Sequence, residues 1–450
     1  MGAGKTAEVF VQHLEKSSHD VILIDKNKDK IEKITNEYSV NGVCGSGASR
    51  DVLLSAGADT ADVLISLTPV DEINLLACSM AKSLGTSYTI AQLERDELLG
   101  DEGYLREKFE IDYILTPKIL VCEKIADQVC FNSANRVEQF FDSSVLLAEI
   151  TVDKDSILAD AELKNIKPML NADFLVFGVL RNDKLMVPKG EFVLKVGDAI
   201  GIIADKEEMT NLFAKVNLTR KPVRSVMLIG GGDIGASLAA LLSSKHISVK
   251  VVESDINRCR ELTEQLPKAK IIYGSETDVE LLEDEGIAKC DACICSSESD
   301  EANLLSSLIA WTNGVGNIIT KINAESYDRV LRKATINITI SPDRSIAEKL
   351  LEYLLSIREN GKNAGMSRYY SMGSAMLKIS GFNIPSGFPK ADKPLMCDEM
   401  RLKKGVIIGV IARGDKMIIP KGSDVIRAGD KIFVLSENAG DIRTPLDIFA

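Results

Sequence analysis

Gly230-Gly231-Gly232-Asp233-Ile234-Gly235 decides how this chain is read. The segment follows the apolar run Val226-Met227-Leu228-Ile229 and opens a stretch with helical periodicity. In such a turn the first glycine makes the tight bend and the second lets backbone amides approach a pyrophosphate. The third lets helix and strand pack closely, and the helix N-terminus then faces the phosphates. Glu253 ends the next β-rich run, 23 residues after Gly230. An acid there is expected to accept hydrogen bonds from ribose hydroxyls and to repel a 2′-phosphate, which favours NAD(H) or an adenine nucleotide over NADP(H).

Further along the chain, Val249–Val252, Lys270–Ile272 and Ala292–Cys295 read as short buried strands. Helical patterns follow Gly235 and Leu281 and run from Glu301 to Trp311. Strand–helix alternation implies a parallel sheet covered on both faces, the α/β, doubly wound Rossmann class. At the strand ends, where ligands lie in such a sheet, stand Gly274-Ser275 and Ser296-Ser297-Glu298.

The whole pattern occurs twice, at an offset of about 230 residues. Gly2-Ala3-Gly4-Lys5-Thr6-Ala7 matches the glycine turn, and Asp25 lies 23 residues after Gly2. Gly45-Ser46 matches Gly274-Ser275, and Thr68-Pro69 matches Ser297-Glu298. The segment from Asp71, DEINLL, matches DEANLL from Asp300. A smaller repeat follows each copy: FGVLRNDKLMVPKG from Phe177 and IGVIARGDKMIIPKG from Ile408. The expected plan is therefore two Rossmann-like domains, 1–132 and 224–357, each followed by a small α+β domain, 135–217 and 372–450. Lys215–Ser225 and Arg358–Gly373 read as connectors. Because Gly2 follows directly on Met1, the first strand of copy one is missing, and the expectation is a native start several residues upstream.

The formal charge of −12 over 450 residues argues against nucleic acid and against docking on anionic lipid. No apolar run approaches the roughly 18–20 residues that span a bilayer, and Met1–Ser18 does not read as a signal peptide. Nine scattered cysteines suit reduced thiols in the cytoplasm. Gly4-Lys5-Thr6 mimics the end of a P-loop but lacks the glycine five residues earlier. Cys290, Cys293 and Cys295 read as small residues of a buried strand and not as metal ligands. The three histidines, His13, His19 and His246, lie away from the C-terminal strand ends, where a dehydrogenase would place its proton donor. Trp311 is expected in the core. Asp71-Glu72 and Asp300-Glu301 are expected to cap helices and not to act as catalytic carboxylates.

The four-part order, with its duplicated glycine turns, its DEINLL and DEANLL segments and its Pro-Lys-Gly turns, resembles the TrkA family. These are cytosolic regulatory subunits of Trk-type potassium uptake systems, built from two tandem RCK/KTN modules. The resemblance implies binding of NAD(H) and of ATP or ADP, sensed and not consumed. It also implies peripheral attachment at the inner face of the membrane, no enzymatic activity, and gating of an integral-membrane potassium-translocating subunit. Self-association is a further expectation. Carried onto this chain, the first site would use Gly2, Ala3, Gly4, Lys5, Thr6, Asp25, Gly45, Ser46, Thr68, Pro69 and Gln92. The second would use Gly230, Gly231, Gly232, Asp233, Ile234, Glu253, Gly274, Ser275, Ser297, Glu298 and Lys321. The family often has a basic residue after the fifth strand, where this chain has Gln92 and Lys321. The rival reading from another class is an NAD-dependent oxidoreductase with a duplicated Rossmann domain.

Overall fold

The computed structural model describes all residues except 15–18, 96, 97, 99, 132, 133, 141–144, 155, 183, 217–222, 325, 326, 328–337, 361–366, 373, 374, 415, 437–441 and 443. Residues 217–222 of the first connector, Arg220-Lys221-Pro222 included, and 361–366 of the second fall outside the described residues. The second connector is shorter than the expected Arg358–Gly373, because the helix Pro342–Asn360 runs into it and the strand Ser367–Met372 lies within it.

The first Rossmann unit holds two parallel sheets. One pairs β1 (Ile22–Asp25) with β2 (Asn41–Cys44). The other runs β3 (Val63–Ser66), β4 (Tyr88–Gln92), β5 (Tyr113–Leu115). Met1 and Gly2 bridge them: the Leu67 N–H donates to Met1 O at 2.9 Å and the Gly2 N–H to Ile24 O at 2.8 Å. The first small unit is an antiparallel sheet of β6 (Arg136–Gln139), β7 (Val145–Thr151), β8 (Phe174–Arg181), β9 (Lys184–Met186) and β10 (Ala199–Asp205), in the order β6-β7-β10-β8-β9.

The second Rossmann unit has one continuous sheet. Its strands are β11 (Ser225–Ile229), β12 (Ser248–Glu253), β13 (Lys270–Tyr273), β14 (Ala292–Cys295), β15 (Ile318–Lys321) and β16 (Ile338–Ile340). Their order, β13-β12-β11-β14-β15-β16, is the doubly wound one. β11 and β14 are central and nearly all their residues are buried, so both read as unbroken apolar runs. The second small unit repeats the first: β17 (Ser367–Met372), β18 (Ala375–Asn383), β19 (Val406–Arg413), β20 (Lys416–Ile418) and β21 (Lys431–Ser436), ordered β17-β18-β21-β19-β20.

The two halves pair with each other. The first helix of each Rossmann unit packs on the last helix of the other: Lys5–Leu14 on Pro342–Asn360, and Asp233–Ser244 on Pro117–Cys130. Phe10, Leu14, Ile346, Ala347 and Leu350 are buried together in the first contact, and Cys122, Ala126, Leu238 and Ala239 in the second. Thr6 Oγ1 donates to Asp343 Oδ1 at 2.5 Å across the first. The small sheets face each other through Phe177 against Tyr370, ring centroids 5.3 Å apart, and Phe140 against Phe433 at 5.0 Å, both edge-on. One chain thus contains an internal pseudo-dimer.

Trp311 is 48% exposed and is not core. Its helix, Asp300–Thr312, buries Asn303, Ser306, Ser307, Ile309 and Ala310, and Trp311 falls on the opposite, solvent face. Cys293 and Cys295 lie in buried β14 with their sulfurs 4.0 Å apart. Among the described residues no group of His, Cys, Asp or Glu is arranged to hold a metal, and no helix is long and apolar enough to cross a membrane.

Candidate nucleotide sites

Each glycine of the 230–235 turn meets a different constraint. Gly230 has φ of +100°, and a Cβ there would lie 2.5 Å from Ser297 N, so only glycine closes the turn against β14. A Cβ on Gly235 would lie 2.1 Å from Gly230 O, which is how closely helix and strand pack. Gly232 is open: a Cβ would meet only Glu298 Oε1, at 3.1 Å. Gly231 is packed, with a Cβ position 2.5 Å from Leu262 Cδ1, so it is Gly232, at the N-terminus of the Asp233–Ser244 helix, that presents bare backbone. In the first unit Gly2 repeats the bend, with φ of +90° and a Cβ position 2.8 Å from Leu67 O, and Gly4 has open space around it.

The two acids staple these turns. Asp25 Oδ2 accepts from the Ala3 N–H at 2.7 Å and Oδ1 from the Asn27 N–H at 2.8 Å. Glu253 does the same with the Gly231 and Asp255 N–H groups, both at 2.8 Å. Asn27 and Asp255 in turn cap the helices that follow, so an acid-x-Asx pattern links strand end, glycine turn and helix. Gly45 and Gly274 continue the rim, and side chains on them would collide with Val52 and Leu281. Ser46 Oγ and Ser275 Oγ accept from backbone N–H groups two residues on, at 3.3 and 3.4 Å.

Two staples carried no sequence expectation. Asn303, fully buried, accepts from the Ser297 N–H at 2.8 Å and donates to Ser297 O at 3.0 Å and Lys321 O at 3.1 Å. Asn74 repeats this with the Thr68 N–H, Thr68 O and Gln92 O at 3.0, 2.7 and 2.9 Å. These asparagines tie the end of the fourth strand to the end of the fifth. Asp71 and Asp300 are corrected in role. Each carboxylate accepts from two backbone N–H groups after the fifth strand, those of Glu94 and Arg95 or of Asn323 and Ala324. The caps beside them are Val70 and Ser299. The signal that could have found these residues is the shared spacing of the two DE-x-N segments.

Other residues of the expected sites are placed less centrally. Lys5 pairs with Glu8 at 3.5 Å, and the Thr6 hydroxyl points to the other unit. Ile234 O accepts from Cys122 Sγ at 3.5 Å, also between units. Asp233 is exposed and pairs with Arg258, whose Nε donates to Gly231 O at 3.0 Å. Burial and the neighbouring Glu253 and Glu298 raise the Glu276 carboxyl above its usual range, and Lys321 opposes this. Gln92 is buried, its Nε2 donates to Glu94 Oε1 at 2.7 Å, and its Oε1 has no partner among the described residues.

The TrkA-N domain family matches residues 1–117 and 226–342, and the TrkA-C domain family matches residues 147–217. The chain is 28% identical over 438 residues to the Trk system potassium uptake protein TrkA of Haemophilus influenzae, covering 96% of this chain and 94% of that protein. It is 29% identical over 438 residues to the Trk system potassium uptake protein TrkA homolog of Archaeoglobus fulgidus, covering 97% and 96%. Among solved structures, the GsuK channel bound to NAD aligns with a TM-score of 0.62 at 18% identity, covering 99% of this chain and 76% of that one. The GsuK RCK domain aligns with the same score and identity, covering 99% and 91%. At that identity the likeness shows a shared fold.

Proposed function

The chain belongs to the TrkA-N domain family, and on that premise we propose that it is a nucleotide-binding regulatory subunit that gates a Trk-type potassium-translocating membrane protein. It acts from the cytoplasmic face without spanning the membrane and reads NAD(H), and ATP or ADP, as signals without consuming them. The same reading divides the chain into nucleotide-binding units 1–132 and 224–357 and small units 135–217 and, extended from the expected 372–450 to take in β17, 367–450, and it expects homo-oligomers.

The observation that carries this reading is the reciprocal helix exchange: each glycine turn opens a helix that packs on the last helix of the other unit. A ligand on either turn therefore presses on the interface between units. It shifts their arrangement by the difference in its affinity for the two states. What supports a dinucleotide is the bare backbone at Gly232, where a Cβ would meet only Glu298 Oε1, together with the buried Lys321 and the buried Gln92 Oε1, an acceptor without a partner among the described residues. NAD, when bound, would supply charge and shape to this switch. Gly230–Ile234 would hold its phosphates, Glu253 its ribose, and Gly274-Ser275 the adenosine side. The first site would use Gly2–Thr6, Asp25, Gly45-Ser46 and Thr68-Pro69. The test is potassium flux in vesicles reconstituted with the membrane subunit and this chain. Flux should change with nucleotide while NADH absorbance stays constant. Flux indifferent to every nucleotide, or NADH oxidised in step with turnover, overturns the proposal.

A further inference from the structure

We propose that the two nucleotide sites are chemically unequal: in the second, Glu298 stands where a ligand phosphate would sit and holds Lys321, whereas the first site offers a neutral acceptor. This rests on the nucleotide-binding reading above.

The equivalence of positions is fixed by the asparagine staples. Asn74 donates to Gln92 O and Asn303 to Lys321 O, so Gln92 and Lys321 occupy the same place. Thr68 and Ser297 are held by the same asparagines, so the residues after them, Pro69 and Glu298, correspond as well. By the same offset Gly47 stands where the second site has Glu276.

In the second site the Lys321 side chain is only 5% exposed, yet its ammonium lies 4.0 Å from Glu298, whose side chain is 89% exposed. A buried ammonium has three donors to satisfy, and this is a loose arrangement for one. The Glu298 carboxylate reaches over the glycine turn as well, since Oε1 is the nearest atom to the Cβ position of Gly232. A carboxylate that spans the open glycine and the buried lysine occupies the place an anionic phosphate would take. Phosphate and carboxylate cannot share it, with Glu253 and Glu276 adding negative charge nearby. A ligand must therefore displace Glu298 and offer Lys321 a stronger anion. The second site discriminates by phosphate charge.

The first site has no such contest. Proline replaces the glutamate, and Gln92 carries no charge. Its amide nitrogen is engaged by Glu94, which leaves Oε1 as a buried acceptor without a partner. That atom suits a neutral donor, such as a hydroxyl or amide of a nucleoside, and gains nothing from a phosphate.

The experiment is calorimetric titration of the full chain with ADP and with adenosine at two salt concentrations. Glu298→Gln removes the internal competitor and should tighten ADP at one class of site by about 2- to 5-fold, the range set by a solvent-exposed ion pair. Adenosine affinity should stay constant in that variant. Lys321→Gln should weaken ADP at the same class by about 10- to 100-fold, as expected for a buried charge-assisted bond, and should flatten its salt dependence. Gln92→Lys should steepen the salt dependence of ADP binding at the other class. Glu298→Gln changing ADP and adenosine alike, or not at all, overturns the inference. A wild-type chain that binds ADP, adenosine and NADH at neither class overturns the nucleotide reading itself.

Discussion

Replacing Asn303 with alanine should unfasten the second site. The side chain is fully buried and makes three hydrogen bonds, to Ser297 N–H, Ser297 O and Lys321 O, at 2.8 to 3.1 Å. At about 1 kcal/mol net for each bond, with buried backbone groups left unpaired, Asn303→Ala should cost roughly 2–4 kcal/mol. The chain has one tryptophan, Trp311, on the same helix as Asn303, so its fluorescence reports this unit alone. With a urea slope of about 2 kcal/mol per molar, the midpoint of that transition should fall by about 1–2 M. Asn303→Asp is the control. It keeps the bond from the Ser297 N–H but turns a carboxylate toward two carbonyl oxygens, so it should destabilise at least as much as alanine. A midpoint for Asn303→Ala within about 0.25 M of wild type, equivalent to about 0.5 kcal/mol, refutes the staple.

Four further outcomes follow from the same geometry. Gly235→Ala should destabilise the second unit by roughly 1–3 kcal/mol through overpacking against Gly230 O; Gly232→Ala should leave the urea midpoint in place but remove nucleotide binding at the second site alone, read by calorimetry as a loss of one class of site. Asp198 and Asp430, buried in the small units, titrate below the usual 3.8: burial pushes them up, but the bonds from Arg181 and the Lys195 N–H, and from Arg413 and the Arg427 N–H, outweigh it. Folded-state values below the unfolded ones mean stability present above about pH 4 and lost as pH falls through the folded value, so Asp198→Asn should be less stable at pH 7 and show a flatter acid limb in thermal melts. Thr6→Val should lose about 1 kcal/mol of contact to Asp343 between the units, seen as faster hydrogen exchange along Lys5–Leu14.

The glycine turns, the stapling acids and the strands of the second unit were legible because each is a local pattern with a local cause. Gly230 must bend, Gly235 must admit a strand, and β11 and β14 must be apolar on both faces. The asparagine and aspartate staples were harder, because they join groups 6 to 24 residues apart at the ends of neighbouring strands. Only the recurrence of DE-x-N in both copies hints at them. Trp311 departs from the expected core because apolar composition does not say which face of a helix is buried: this helix turns Asn303, Ser306, Ser307, Ile309 and Ala310 inward and leaves Trp311 outside. Arg181 and Arg413 lie in the repeated segments from Phe177 and Ile408, but their bidentate pairing with Asp198 and Asp430, with bonds of 2.7 to 2.8 Å, depends on strand registry that no local pattern encodes.

The most direct measurement is titration of the purified chain with NADH, following heat and absorbance together. The account predicts saturable binding at one or two sites per chain with the NADH absorbance unchanged throughout. Absence of saturable heat, or steady loss of absorbance on binding, would contradict it.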